Sequence, residues 1–288
     1  MKKSLKHLPK YKQDELKLIT GIIRKQFPSA HMIILFGSYA RGEWVEDVYT
    51  EGHITYEYKS DFDILVLTCT KKTAHNNTKQ TAVDNLILRK KAIKTPVSII
   101  YHHIRLVNER LKEGQYFFSD IKKEGIILYD TGKLKLERRR KLSPAKRKQI
   151  AEEDFKMWFA SAKDFYDQYK YALGKRKYKV AAFLLHQVTE RFYVTALLVF
   201  TGYRPKTHNI ETLGRKVSGC DTVFLKVFPR ATEQQDKRFK LLKKAYIDAR
   251  YKKNYKITRA ELEYLAGRVR KLQRLTKKIC KEKIEGFI

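Results

Sequence analysis

Apolar positions follow two different rhythms along this chain. In the first half, Leu16, Leu18, Ile19, Ile22, Ile23 and Phe27 recur at three- and four-residue spacing, which predicts an amphipathic helix over 16–27. A short apolar run over 31–36 stops at Gly37-Ser38 and predicts a buried strand entering a turn. Residues 44–58 hold two β-prone segments around Glu51-Gly52, the pattern of an inserted hairpin. Further strands are predicted over 62–67 and, after Pro96, over 97–101, with a helix over 81–93 between them and 126–128 closing the sheet. Strands and helices alternating in this way predict an α/β domain on a mixed sheet.

From about residue 150 the period becomes purely helical. Phe155, Trp158, Phe159, Ala162, Phe165 and Tyr169 form one stripe, and Leu262, Leu265, Val269, Leu272 and Ile279 another. The segment 181–200 is apolar almost all round, as befits the central helix of a bundle. About five helices with short connections predict an all-α up-and-down bundle. Between the two patterns, residues 133–148 carry nine basic residues and one acid around Ser143-Pro144, which reads as a linker. The predicted division is a domain over 1–132, a basic linker over 133–149 and a helical domain over 150–288.

Composition sharpens this picture. The chain has 288 residues, 43% of them hydrophobic, enough for two packed cores. No apolar run approaches the roughly 18 residues of a membrane span. The basic start has no apolar segment behind it and does not read as a secretory signal. Cys69, Cys220 and Cys280 are odd in number and far apart, which argues against disulfides and CxxC zinc sites and fits a reducing cytoplasm. The net charge of +32 is uneven: residues 1–130 hold 22 basic and 15 acidic residues, and residues 131–288 hold 41 and 16. The helical half therefore calls for a polyanionic partner, RNA or an RNA-bound protein first, against the plainer reading of a solvated basic surface.

Candidate chemistry concentrates in IILFGSYARG and the later SDFDILVL. Asp61 and Asp63, two apart on a strand, project their carboxylates from one face, where they can coordinate Mg²⁺. Gly37 allows backbone N–H groups close to a phosphate, Ser38 adds a hydroxyl donor, and Arg41 can neutralise further charge. A strand, a Gly-Ser turn and a helix, followed by a strand with Asp-x-Asp, resemble the minimal nucleotidyltransferase domain of the polymerase-beta-like superfamily, which includes kanamycin nucleotidyltransferase. The resemblance spans about residues 15–130. It implies that Gly37 and Ser38 grip an NTP, ATP first among them, and that Asp61 and Asp63 bind the metal. Mg²⁺-dependent transfer of a nucleoside monophosphate to a hydroxyl acceptor is the activity it implies. Two departures stand out. The gap from Ser38 to Asp61 is long, and TPVSIIYHH places Ser98 where the family's third acid is expected. Glu57, Glu109 or an acid from the helical half fills that role, or the domain senses nucleotide without efficient transfer.

The stretch AAFLLHQVTERFYVTALLVFTGYRPKTHNIETL resembles a HEPN domain, with similarity over about residues 150–285. Some HEPN domains are metal-independent ribonucleases with an Arg followed, four to six residues on, by a His. The matching stretch YIDARYKKNY puts Arg250 at the Arg and Tyr255 where the His would sit; a Tyr, with its pKa near 10, is a poor acid–base catalyst at neutral pH. The resemblance also implies pairing into a homodimer. Arg204 and His208 make a second, tighter Arg–His pair. On its residue pattern alone, His186 reads as a core or interface histidine, His208 as a helix-start residue, and His102-His103 as a strand end. The expected function is nucleotidyl transfer. Its alternatives are a HEPN-type RNA-binding protein or ribonuclease of toxin–antitoxin kind with a weak, nucleotide-sensing first domain, and a catalytically silent interaction protein.

Overall fold

A computed structural model describes residues 1–44, 46–51 and 54–287, without the side chains of 47–51 and 54–58. The chain divides into two compact units that meet in sequence between Leu142 and Ser143.

The first unit runs α1 (Lys10–Gln26), β1 (Met32–Phe36), α2 (Ser38–Arg41), β2 (Glu46–Glu51), β3 (Ile54–Lys59), β4 (Phe62–Thr68), α3 (Lys71–Ala74), α4 (Asn77–Arg89), β5 (Val97–His103), α5 (Ile104–Glu113), α6 (Tyr116–Glu124) and β6 (Ile126–Asp130). Four strands form one sheet in the order β5-β4-β1-β6, and β2 pairs with β3 as the expected hairpin. The sheet is mixed: β1 is antiparallel to β4 and β6, while β4 and β5 are parallel. β1 is buried on both faces because it lies inside the sheet with helices on either side. Ile33 and Leu35 join Leu16, Ile19, Ile23 and Phe27 of the α1 flank in the core, and Phe36 meets Phe117 of α6 edge-on at 5.6 Å on the other side. The helix α4 starts four residues earlier than its periodicity predicts, because the Asn76 side chain accepts from the Lys79 N–H and sets the start.

Helices α5 and α6 are additions to the sequence expectation, and they hold part of the basic segment. The Asn108 amide donates to the Lys135 carbonyl at 3.0 Å and accepts from the Glu137 N–H at 2.9 Å. The Arg140 N–H bonds the Leu111 carbonyl at 2.9 Å, and Lys122 Nζ reaches the carbonyl of Leu136 at 3.2 Å. Nor does the segment stay irregular to residue 149, because a helix begins at Pro144. Ser143 accepts from the Lys146 N–H and proline occupies the first helical position, where it loses no hydrogen bond. Ser143-Pro144, read from sequence as a break inside a linker, is the start signal of a helix.

The second unit is helical: α7 (Pro144–Gly174), α8 (Tyr178–Thr201), α9 (Ile210–Ser218), a 3-10 turn (Thr222–Lys226), α10 (Glu233–Lys244), α11 (Asp248–Tyr251) and α12 (Arg259–Glu285). The helix α8 is buried along most of its length and packs against α7, α12, α9, α10 and α11, as its nearly all-round apolar sequence requires. Among the described residues, no helix is long and apolar enough to cross a membrane.

Candidate functional site

In the N-terminal unit the chain leaves β1 through Gly37, whose φ of 76° and ψ of −156° lie in a region open essentially to glycine alone. The space beside it is closed as well: a Cβ on Gly37 would stand 2.5 Å from Asp63 Oδ2. The cause is register, since Asp63 lies opposite Phe36 across the antiparallel β1–β4 pair. Ser38 then opens α2, whose leading N–H groups, as in any helix, have no intrahelical acceptor. Phe62 is fully buried between Asp61 and Asp63, so alternation along the strand sends both carboxylates to the half-exposed side. On the far side of Asp63 the parallel register places Ser98. The structure thus brings Gly37, Asp63 and Ser98 side by side across three strands, with Asp61 at the entry to β4.

Two carboxylates and a hydroxyl are hard oxygen donors of the kind Mg²⁺ accepts alongside substrate phosphates. A third acid does not join them: among the described residues, no three His, Cys, Asp or Glu side chains are grouped to hold a metal ion. Glu109, one candidate for that role, is instead engaged by Arg105 Nε at 3.0 Å. The Glu57 side chain lies outside the described residues. Arg41, expected on phosphate, is held by Glu43 at 2.6 Å and Glu124 at 3.8 Å, so its charge is already partly balanced.

The helical unit gathers a second set of polar groups around α8. His186 is fully buried, with Nδ1 3.0 Å from the Leu242 carbonyl and Nε2 3.0 Å from the His208 carbonyl. Burial pushes its pKa below the ordinary histidine value, against the opposing pull of those carbonyls and of Glu190. One turn further along α8, the buried Glu190 carboxylate receives His208 Nδ1, 3.0 Å from each of its oxygens. His208 is not the cap of α9. Asn209 takes that role, accepting from the Glu211 and Thr212 N–H groups, and the His208 ring stays 46% exposed. Tyr246 stacks on that ring at 4.2 Å and 13°.

Arg250 packs over the rings of Tyr246, Phe183 and Tyr251, and its Nε donates to the Tyr246 carbonyl. Tyr255 is buried and donates its hydroxyl to the Leu241 carbonyl at 3.1 Å; burial raises its pKa further above neutrality. It is a packing residue. Arg204, the other half of the Arg204–His208 pair, lies over Trp158 at 4.6 Å. Glu190 is the residue that sequence reasoning passed over. Its signal was present: a lone acid inside the apolar stretch 181–200, four residues beyond His186.

Residues 155–279 match the HEPN domain, which covers the region from α7 into α12. A search among curated proteins found no match to the chain.

Proposed function

With a HEPN domain occupying residues 155–279, we propose that the protein binds RNA through its helical half and holds a nucleoside triphosphate, ATP first among them, on its N-terminal sheet. The observation that carries the reading is coincidence of place: the HEPN match falls on the half with 41 basic against 16 acidic residues. Phosphate neutralisation releases counterions, so affinity for a labelled single-stranded RNA should fall with salt, with a log–log slope of roughly −0.7 per phosphate contacted. Anisotropy titrations of the full chain between about 50 and 200 mM salt measure that slope. An RNA affinity that is absent at low salt, or flat across the series, rejects the reading.

A second reading, nucleotidyl transfer to a hydroxyl acceptor, is favoured by the close approach of the Gly37 backbone to Asp63. Asp61 and Asp63 would hold Mg²⁺, which supplies charge neutralisation for the phosphates and polarises the one under attack. Gly37 admits the phosphate chain, and the Ser38 hydroxyl donates to it. Ser98 brings a hydrogen bond but no charge, so nucleotide binding should survive its presence better than transfer does. Calorimetry with ATP and Mg²⁺ should show binding that Asp61→Asn with Asp63→Asn abolishes. Unchanged affinity in the double variant removes these residues from the site, and pyrophosphate release distinguishes transfer from binding alone.

A further inference from the structure

We propose that His208, oriented by Glu190, is the general base of an RNA-cleaving site in the helical unit, with Arg250 as its phosphate-binding partner. The assignment rests on the RNA-binding reading above and goes beyond it by naming a reaction and the groups that perform it.

Three observations support it. First, a buried carboxylate grips Nδ1 of a half-exposed imidazole with both oxygens. That arrangement fixes the tautomer: Nδ1 carries the proton toward Glu190, and Nε2 keeps its lone pair for a substrate proton. No other described residue hydrogen-bonds Nε2. Second, the imidazole is held in place from three sides. His186 receives the His208 carbonyl from within, Tyr246 stacks on the ring, and Asn209 caps the helix that follows. Third, Arg250 shares Tyr246 with His208, since its guanidinium lies 4.4 Å from the centre of that ring. Only its Nε is spent on a hydrogen bond among the described residues, so both terminal amino groups can take phosphate oxygens. Arg250 is therefore paired in space with His208 and not with the buried Tyr255. Aromatic rings at Tyr246 and the exposed Tyr251 suit a base at the same place.

The reaction balances without a co-reactant. His208 Nε2 takes the proton of a ribose 2′-hydroxyl, the 2′-oxygen bonds to the adjacent phosphorus, and the bond from phosphorus to the 5′-oxygen breaks. The departing oxygen takes a proton from water, and His208 returns its own to water. The products are a 2′,3′-cyclic phosphate and a 5′-hydroxyl end. Glu190 touches no substrate and acts through His208 as a positioning residue.

The test uses the full chain, a labelled single-stranded RNA of mixed sequence and its all-deoxy counterpart, with and without a metal chelator. The wild type should cleave only the RNA, leave cyclic phosphate ends and tolerate the chelator. His208→Ala should lose about 100-fold or more in rate, a normal share for acid–base catalysis, with RNA affinity and melting temperature retained. Added imidazole should restore part of that loss, which a purely structural histidine would not allow. Glu190→Gln should lower kcat with little change in KM, and Tyr255→Phe should cleave as the wild type does. A wild type that binds RNA without cutting it, or a His208→Ala variant that cuts at the wild-type rate, overturns the inference and leaves RNA binding intact. Failure to bind RNA at all overturns both.

Discussion

A single methyl group on Gly37 tests the N-terminal site more sharply than any change of charge. The backbone there adopts a conformation that L-residues avoid, and the Cβ would collide with the Asp63 carboxylate. Gly37→Ala should therefore cost about 1–3 kcal/mol from backbone strain, and it should also push Asp63 out of register with Ser98. Denaturant unfolding measures the first effect, and ATP–Mg²⁺ calorimetry the second. A variant of wild-type stability that binds nucleotide normally would show that the close approach has no functional weight. This residue was legible in the sequence because a strand ending in Gly-Ser has few interpretations. Its neighbour Asp63 was legible as half of an Asp-x-Asp pair, and Ser98 as the residue at the place of a third acid. The Glu190–His208 contact was not, because the two residues come from different elements and nothing in a linear pattern links them.

Among elements, α8 shows what periodicity can and cannot reveal. Its apolar circumference predicted a central helix, and the helix is central. The polar groups it buries, His186 and Glu190, looked like passengers in that pattern, yet His186 joins α8 to the end of α10 and to the chain entering α9 through two carbonyls. A neutral imidazole donates from only one nitrogen at a time, and burial favours that neutral form. The folded state thus binds fewer protons at His186 than the unfolded state does. Its stabilising share is complete above the ordinary value of 6.5 and is lost as pH falls below it, toward the lower folded-state value. Melting temperature should drop between about pH 7 and pH 5, and His186→Gln should flatten that drop while lowering the plateau at neutral pH. An equally steep fall in the variant would assign acid lability to other groups. Helices α5 and α6 escaped the sequence analysis for a different reason: each is short, and the apolar residues of α6 cluster in one turn without an extended stripe.

Across the whole molecule, two separate cores account for the two rhythms of the sequence. One is built on the sheet with α1 and α4, the other around α8. Their charge differs as their architecture does, and the most basic stretch of chain lies between them. Composition alone made that stretch a linker, because backbone hydrogen bonds leave no trace in composition. Its capture by Asn108, Lys122 and the Leu111 carbonyl changes how it meets a protease. Residues 133–142 offer trypsin six Lys or Arg positions, yet a protease must draw out a run of extended backbone before it can cut. The rate of tryptic nicking there is then a clock for how often the segment lifts away. Asn108 holds it from both sides with one amide, so Asn108→Ala should speed nicking several-fold at sites near Lys135 and Arg138, with global melting nearly unchanged. Equal digestion of both forms would mean that the segment lifts as freely with the amide as without it. A stretch that looks like the most cleavable sequence in the protein is, on this geometry, guarded by one neutral side chain.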